Sequence, residues 1–180
     1  MTTTTIPHSF RSVRPEPHEY PPAMAGYVAE APDGDIIHTL SRQTAETLTL
    51  LRSIPESRGD HRYAPGKWSI REVIGHMTDA ERVWSYRALR FSRADPHPIE
   101  GFDENEFVTN APFSRIPLAD LINEFEHVRR ANIHLFNNMD EEALSRRGIA
   151  NGFEISVRAL AFTSAGHEAH HVGILRSRYL

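Results

Sequence analysis

The segment Gly166-His167-Glu168-Ala169-His170-His171 places two histidines four positions apart in a stretch whose apolar residues recur at helical spacing. Leu160, Ser164, His167, His171, Ile174 and Leu175 share one stripe, the side that an amphipathic helix of a bundle buries. Two imidazoles therefore stand one turn apart on an inward face, with Cβ atoms about 5–6 Å apart. A buried imidazole needs partners for both ring nitrogens, and two such rings repel when both are protonated. A divalent metal ion satisfies both at once, and this spacing lets two rings converge on one ion. His170, about 100° round the helix from His171, is assigned to the surface or to a supporting position.

Two ligands seldom hold a catalytic ion, so a third is needed. Between Ser69 and Phe91 the residues Ile70, Val73, Ile74, Met77, Ala80, Val83, Trp84, Ala88 and Phe91 form one broad apolar stripe, with His76 on its edge. Alone, such a histidine is ordinarily a hydrogen-bonded core residue. Beside an inward-facing pair it completes a set of three: His76, His167 and His171. Three neutral imidazoles leave one position open in tetrahedral geometry, or three in octahedral, for water or substrate. Such a site can lower the pKa of bound water to about 7 for hydrolysis, or bind a substrate thiol as thiolate. The chain has no cysteine, so any thiol must come from a co-substrate.

Carboxylates near these histidines are candidates for proton transfer or for orienting a ligand: Asp79, three residues after His76, and Glu168, next to His167. Glu72 is instead assigned to a helix cap. Asp103, Glu104 and Glu106 read as a solvated acidic loop, and Arg82, Arg87 and Arg90 as carboxylate-recognising groups or partners of neighbours such as Glu81. The run His167-Glu168-Ala169-His170-His171 also fits H-E-x-x-H, the zinc-protease pattern with Glu168 as base. That reading wants a downstream ligand, and none of the nine residues after His171 is His, Asp or Glu.

Four helices must position these groups. The first starts at Asp33 or Asp35 and carries Ile36, Ile37, Leu40, Thr44, Leu48 and Leu51 inward, ending before Pro55. The second opens with Ser69-Ile70-Arg71-Glu72, a capping box, and runs to about Phe91. A long connection, 92–117, holds at most one short helix and is long enough to return along helix two, making helices two and three parallel. Helix three spans Leu118 to about Met139, with His127 and His134 off its buried stripe. A second connection, Asp140 to Glu154, uses Gly148 and Gly152 as turn residues, and helix four starts near Ser156. No alternating strand is expected. Residues 1–32 hold six of the twelve prolines and read as an irregular arm draped over the domain at 33–180, with Tyr20, Tyr27 and Val28 as anchors.

A length of 180 residues suits one domain with a sizeable core. A formal net charge of −4 with interspersed signs disfavours nucleic acid and anionic membranes as partners. The lack of cysteine, of an apolar leader and of a spanning run leads to the expectation of a cytoplasmic protein with a small-molecule substrate.

The chain resembles the DinB/YfiT-like family of metal-dependent enzymes. The resemblance covers most of the chain from about Asp35 onward. It rests on Lys67-Trp68-Ser69-Ile70-Arg71-Glu72-Val73-Ile74-Gly75-His76, on Asp79-Ala80-Glu81-Arg82, on the Arg129 region and on Ala165-Gly166-His167-Glu168-Ala169-His170-His171. It implies an all-α four-helix bundle of up-down-down-up topology and a homodimer. It also implies a divalent ion, nickel or zinc, held by one histidine of helix two and two of helix four, here His76, His167 and His171. Relatives include thiol S-transferases using bacillithiol, mycothiol or glutathione, and proteins called hydrolases. The expected function is thus a metal-dependent thiol S-transferase or hydrolase. The alternative is a non-catalytic metal-binding or stress-response module on the same bundle.

Overall fold

The computed structural model describes residues 8–180, so Thr2 to Thr5 at the head of the arm lie outside the described residues. The proline-rich stretch is not irregular throughout. It contains two short helices, α1 (His8–Ser12) and α2 (Ala25–Glu30), and single 3-10 turns at Pro17–Glu19 and Pro22–Met24. Pro17 and Pro22 open those turns, where the missing N–H would have had no partner. The arm is fastened by a buried group: Glu19 accepts a hydrogen bond from Ser156 Oγ at 2.8 Å and pairs with Arg158, itself buried. Val28, 1% exposed, joins the core, and Tyr20 packs on it partly buried.

Helix α3 (Ile36–Arg52) starts at Asp35, whose carboxylate accepts the Ile37 and His38 N–H groups at 2.9 and 3.1 Å. Helix α4 (Ile70–Ser92) has the expected capping box, Glu72 N–H donating to Ser69 Oγ and Ser69 N–H to Glu72. Helix α5 (Glu104–Asn110) is capped by Asp103 within the long connection. Helices α6 (Leu118–Asn137) and α7 (Glu141–Ser145) follow, and His127 and His134 are exposed. A hairpin of β1 (Arg147–Ala150) and β2 (Phe153–Ser156) then leads into α8 (Val157–Ile174), where Ser156 Oγ accepts the Ala159 N–H at 3.0 Å.

The hairpin departs from the strand-free expectation. Asn151 and Gly152 both have positive φ, +52° and +77°, as a two-residue antiparallel loop of this kind requires. Gly148, expected at a turn, lies inside β1, where a Cβ would meet the Phe91 ring at 2.1 Å. Ile99 exchanges backbone hydrogen bonds with Ile149 and Asn151, both 2.9 Å, which ties the long connection to the hairpin.

Cross-helix bonds fix the direction of each helix. Leu118 N–H donates to Glu56 at 2.9 Å, so α6 begins where α3 ends. Arg71 Nε donates to the Ile116 carbonyl at 3.0 Å, and farther along both helices Asn132 donates to Glu81 at 2.8 Å, so α4 and α6 are parallel. Tyr179 Oη donates to the Trp68 carbonyl at 2.5 Å, so α8 and its terminal π-helical turn (Leu175–Tyr179) end where α4 begins. The result is a four-helix bundle of up-down-down-up course with a long crossover between its second and third helices.

Helix α8 is buried on every side from Val157 to Glu168, not only along one stripe. Helix α2 packs along its remaining side. The approach is so close that a Cβ on Gly166 would lie 1.7 Å from the Tyr27 carbonyl oxygen.

Candidate metal centre

A polar layer crosses the bundle between two apolar clusters. One cluster gathers Phe91, Phe136 and Phe162, the other Leu51, Ile70, Phe125 and Leu175. On α4 the layer straddles the change from one cluster, whose last member is Met77, to the other, which begins at Ala80; on α8 it lies between Ala165 and Val172. It contains His76, His167 and His171 and, behind them, Glu81, Arg129, Asn132 and Glu168, all buried.

The three histidines that sequence spacing singled out meet here. One ligand atom from each lies within 4.8 Å of the others. The Nε2 atoms of His76 and His167 are 2.9 Å apart, and the His167 and His171 rings have centroids 4.3 Å apart. Burial depresses the pKa of all three, to about 4 for His76 and about 3 for His171, and well below the ordinary 6.5 for His167. Mutual repulsion deepens the shift at His167 and His171. The rings are therefore neutral at neutral pH.

This set fits a divalent ion. A hydrogen bond between His76 and His167 would use one nitrogen of each, but it leaves His171 Nε2 buried with no hydrogen-bond partner. Imidazole nitrogens about 2.0–2.1 Å from a tetrahedral ion stand roughly 3.3 Å apart, between the 2.9 Å of the His76–His167 pair and the 4.8 Å that bounds the whole set. Neutral, desolvated nitrogens converging on one point are what such an ion needs, and no proton must be expelled at neutral pH.

The imidazoles form the floor of a chamber of about 340 Å³. Its walls are aromatic: the Trp84 ring stands edge-on to His167 at 4.7 Å, Trp68 lies 4.6 Å from His76, and Tyr27 lies 5.1 Å from His167. Phe102, Glu104 and Asn151 complete the mouth. Burial, together with the charges of Glu104 and Glu30, raises the Tyr27 pKa, so its hydroxyl keeps its proton. A second cavity of about 260 Å³ lies beyond Trp68 and His171 and is lined by Tyr63, Lys67 and Asn105. Trp68 and Trp84 were legible only as parts of a motif and a stripe; Tyr27, Phe102 and Asn151 sit on segments with no helical period to mark them.

The proposed carboxylates fall elsewhere. Asp79 is half-buried, 3.7 Å from Arg82, raised in pKa by burial and by Glu124, and does not line the chamber. Glu168 is buried but turned to Arg129, whose guanidinium donates to it at 2.5 Å and to Glu81 at 2.7 Å. Burial pulls the Arg129 pKa down, and the two carboxylates more than restore it. Neither acid is hydrogen-bonded to an imidazole; Glu168 ties α8 to α6 through Arg129. Glu72 is held by its cap and by Arg62 at 2.6 Å. Arg82 pairs with Glu124, Arg90 with Asp95, and Arg87 donates to the Glu100 carbonyl at 3.3 Å. His170 is half-buried, with Nδ1 3.3 Å from Glu30.

An up-down-down-up bundle with three converging imidazoles under an aromatic chamber is a frame into which a divalent ion fits at mid-bundle. The chain belongs to the DinB superfamily, whose profile matches residues 39–175. A curated relative from Oceanobacillus iheyensis, named "Putative metal-dependent hydrolase", is 27% identical over 143 residues, covering 78% of this chain and 79% of the relative. Among solved structures, YfiT from Bacillus subtilis, described as a probable metal-dependent hydrolase with an unusual four-helix bundle topology, superposes with a TM-score of 0.66 at 16% identity. That match covers 78% of this chain and 84% of YfiT. A mycothiol-dependent maleylpyruvate isomerase gives 0.62 at 18% identity over 76% of this chain and 58% of the isomerase. At these identities the solved structures establish the fold. Among the described residues, no helix is long and apolar enough to cross a membrane.

Proposed function

We propose that this chain is a divalent-metal-dependent enzyme acting on a small molecule, a thiol S-transferase or a hydrolase, with His76, His167 and His171 as the ligands. The observation that carries the reading is the convergence of three buried, neutral imidazoles at the floor of a chamber large enough for a substrate. The names of the curated relative and of YfiT favour metal-dependent hydrolysis, and that of the isomerase favours a thiol co-substrate. A bound nickel or zinc ion would supply Lewis acidity, lowering the pKa of the water or thiol it holds.

The protein's own groups do the rest. Trp84, Trp68 and Tyr27 exclude water from the imidazoles and hold their orientation. Tyr27, still protonated, donates a hydrogen bond to a substrate oxygen in the chamber. Glu81, Arg129 and Glu168 lock α4, α6 and α8 in register so that His76 meets the pair on α8. With no cysteine in the sequence, a transferred thiol comes from a low-molecular-weight co-substrate.

The reading includes a cytoplasmic homodimer, in keeping with the absence of cysteine and with the exposed Tyr86 and Leu89 on the outer face of α4. The test is turnover by zinc- or nickel-loaded protein, with a panel of small thiols against a chloro-dinitrobenzene acceptor and with aryl esters and amides without thiol. Activity in one arm that disappears in His171→Ala supports the proposal. Inactivity of fully loaded protein in both arms leaves the non-catalytic metal-binding module.

A further inference from the structure

Among the described residues that line the chamber above the imidazoles, one carries a formal charge, and it is negative. Glu104 sits at the mouth, at the first position of α5, where the Asp103 cap and the hairpin contacts of the long connection hold it. The wall includes Tyr27, Trp68, Trp84 and Phe102 with the amide of Asn151, and among the described residues no lysine or arginine lines it. Arg87 sits over the Phe102 ring, 5.9 Å from its centroid, donates to the Glu100 carbonyl and does not itself line the chamber, so the rings left to a ligand are those of Tyr27, Trp68 and Trp84. The lone lysine of the sequence, Lys67, belongs to the second cavity beyond Trp68.

Aromatic rings present negative faces to a cation, and a carboxylate among them adds to the attraction. An anion in the same place would meet Glu104 with no donor of opposite charge to compensate, which is how a site rejects a ligand class. We propose that the outer half of the chamber is a subsite for a small organic cation, an alkylammonium group seated between the aromatic rings and Glu104. As a statement about substrate class this rests on the reading of the histidine centre as catalytic. In that setting the inner end takes an anionic or polarisable donor and the outer end an ammonium, so the substrate carries separated opposite charges. As a statement about binding it stands without the ion.

Both tryptophans of the protein line this chamber, so intrinsic fluorescence reports its occupancy directly. The experiment titrates metal-free and zinc-loaded protein with benzyltrimethylammonium, benzyl alcohol and phenylacetate, in wild type, Glu104→Gln and Glu106→Gln. In metal-free wild type the cation is expected to bind about tenfold tighter than phenylacetate, with benzyl alcohol between them. Glu104→Gln brings that ratio within about threefold, while Glu106→Gln, an exposed neighbour outside the lining, leaves it unchanged. Phenylacetate binding as tightly as the cation, a preference that survives Glu104→Gln, or no saturable change with any ligand overturns the proposal. Failure to retain zinc overturns the catalytic reading instead, and leaves the metal-free titration to decide the cation subsite.

Discussion

His76 Nε2 and His167 Nε2 stand 2.9 Å apart although 91 positions separate the two residues in the sequence. Nothing local brings them together. The contact exists because α4 and α8 run antiparallel and because the buried charges behind them fix how far each helix slides. The same contact leaves His171 Nε2 without a partner, so the fold holds a group of nitrogens that hydrogen bonding alone does not satisfy.

Arg129 is 1% exposed and joins two buried carboxylates, Glu81 and Glu168. Removing the guanidinium strands both charges in the core. Arg129→Met is expected to lower stability by roughly 3–5 kcal/mol in urea unfolding. Restoring charge balance with Glu81→Gln and Glu168→Gln in the same chain should recover part of that loss. A change below about 1 kcal/mol in Arg129→Met would mean that the network is not a structural determinant.

Metal-free protein should lose stability on mild acidification. Folding depresses His76 to about 4 and His171 to about 3, while the unfolded chain takes up these protons near 6.5. The contribution is therefore fully present above pH 6.5 and is lost as pH falls from 6.5 toward the folded values. Each histidine costs roughly 3 kcal/mol by pH 4, at about 1.4 kcal/mol per pH unit. Unfolding midpoints in chelator between pH 7.5 and 4 check this, with His76→Leu showing a shallower decline. Identical slopes in both proteins would sink the assignment to His76.

Gly166 leaves space for the Tyr27 carbonyl, and Ala at that position would put a methyl group inside it. Gly166→Ala should displace α2 and cost about 1–3 kcal/mol through overpacking, beyond the small gain in helix propensity. Limited proteolysis should then cut within residues 8–32 first, with zinc retained, because no ligand lies on the arm. Equal resistance of the arm in variant and wild type would contradict the close packing of α2 on α8.

The centre and its frame were legible for a common reason. Helical spacing decides which residues face inward, and His76, His167 and His171 followed it, as did the Ser69–Glu72 cap and the Asp35 cap of α3. What spacing could not reveal was compensation between distant charges. Burial of Arg129 or Glu81 alone is unfavourable, and only the fold supplies each with the other. The chamber wall was hidden for a different reason: Tyr27, expected only as an anchor of the arm, lies in a six-residue helix too short to show a period, and Phe102 and Asn151 lie in stretches fixed by turns and tertiary contacts. The four-residue strands of the hairpin were too short to show alternation, and α8 looked one-sided because α2, which covers its remaining side, comes from a proline-rich segment.

The most direct test is the metal content of untagged protein after zinc or nickel loading and desalting, measured by mass spectrometry on wild type, His76→Ala and His171→Ala. About one ion per chain in wild type is expected, with affinity falling at least tenfold to a hundredfold in either variant. Wild type without a stoichiometric ion, or variants that hold it as tightly as wild type, would contradict a centre built from these three imidazoles.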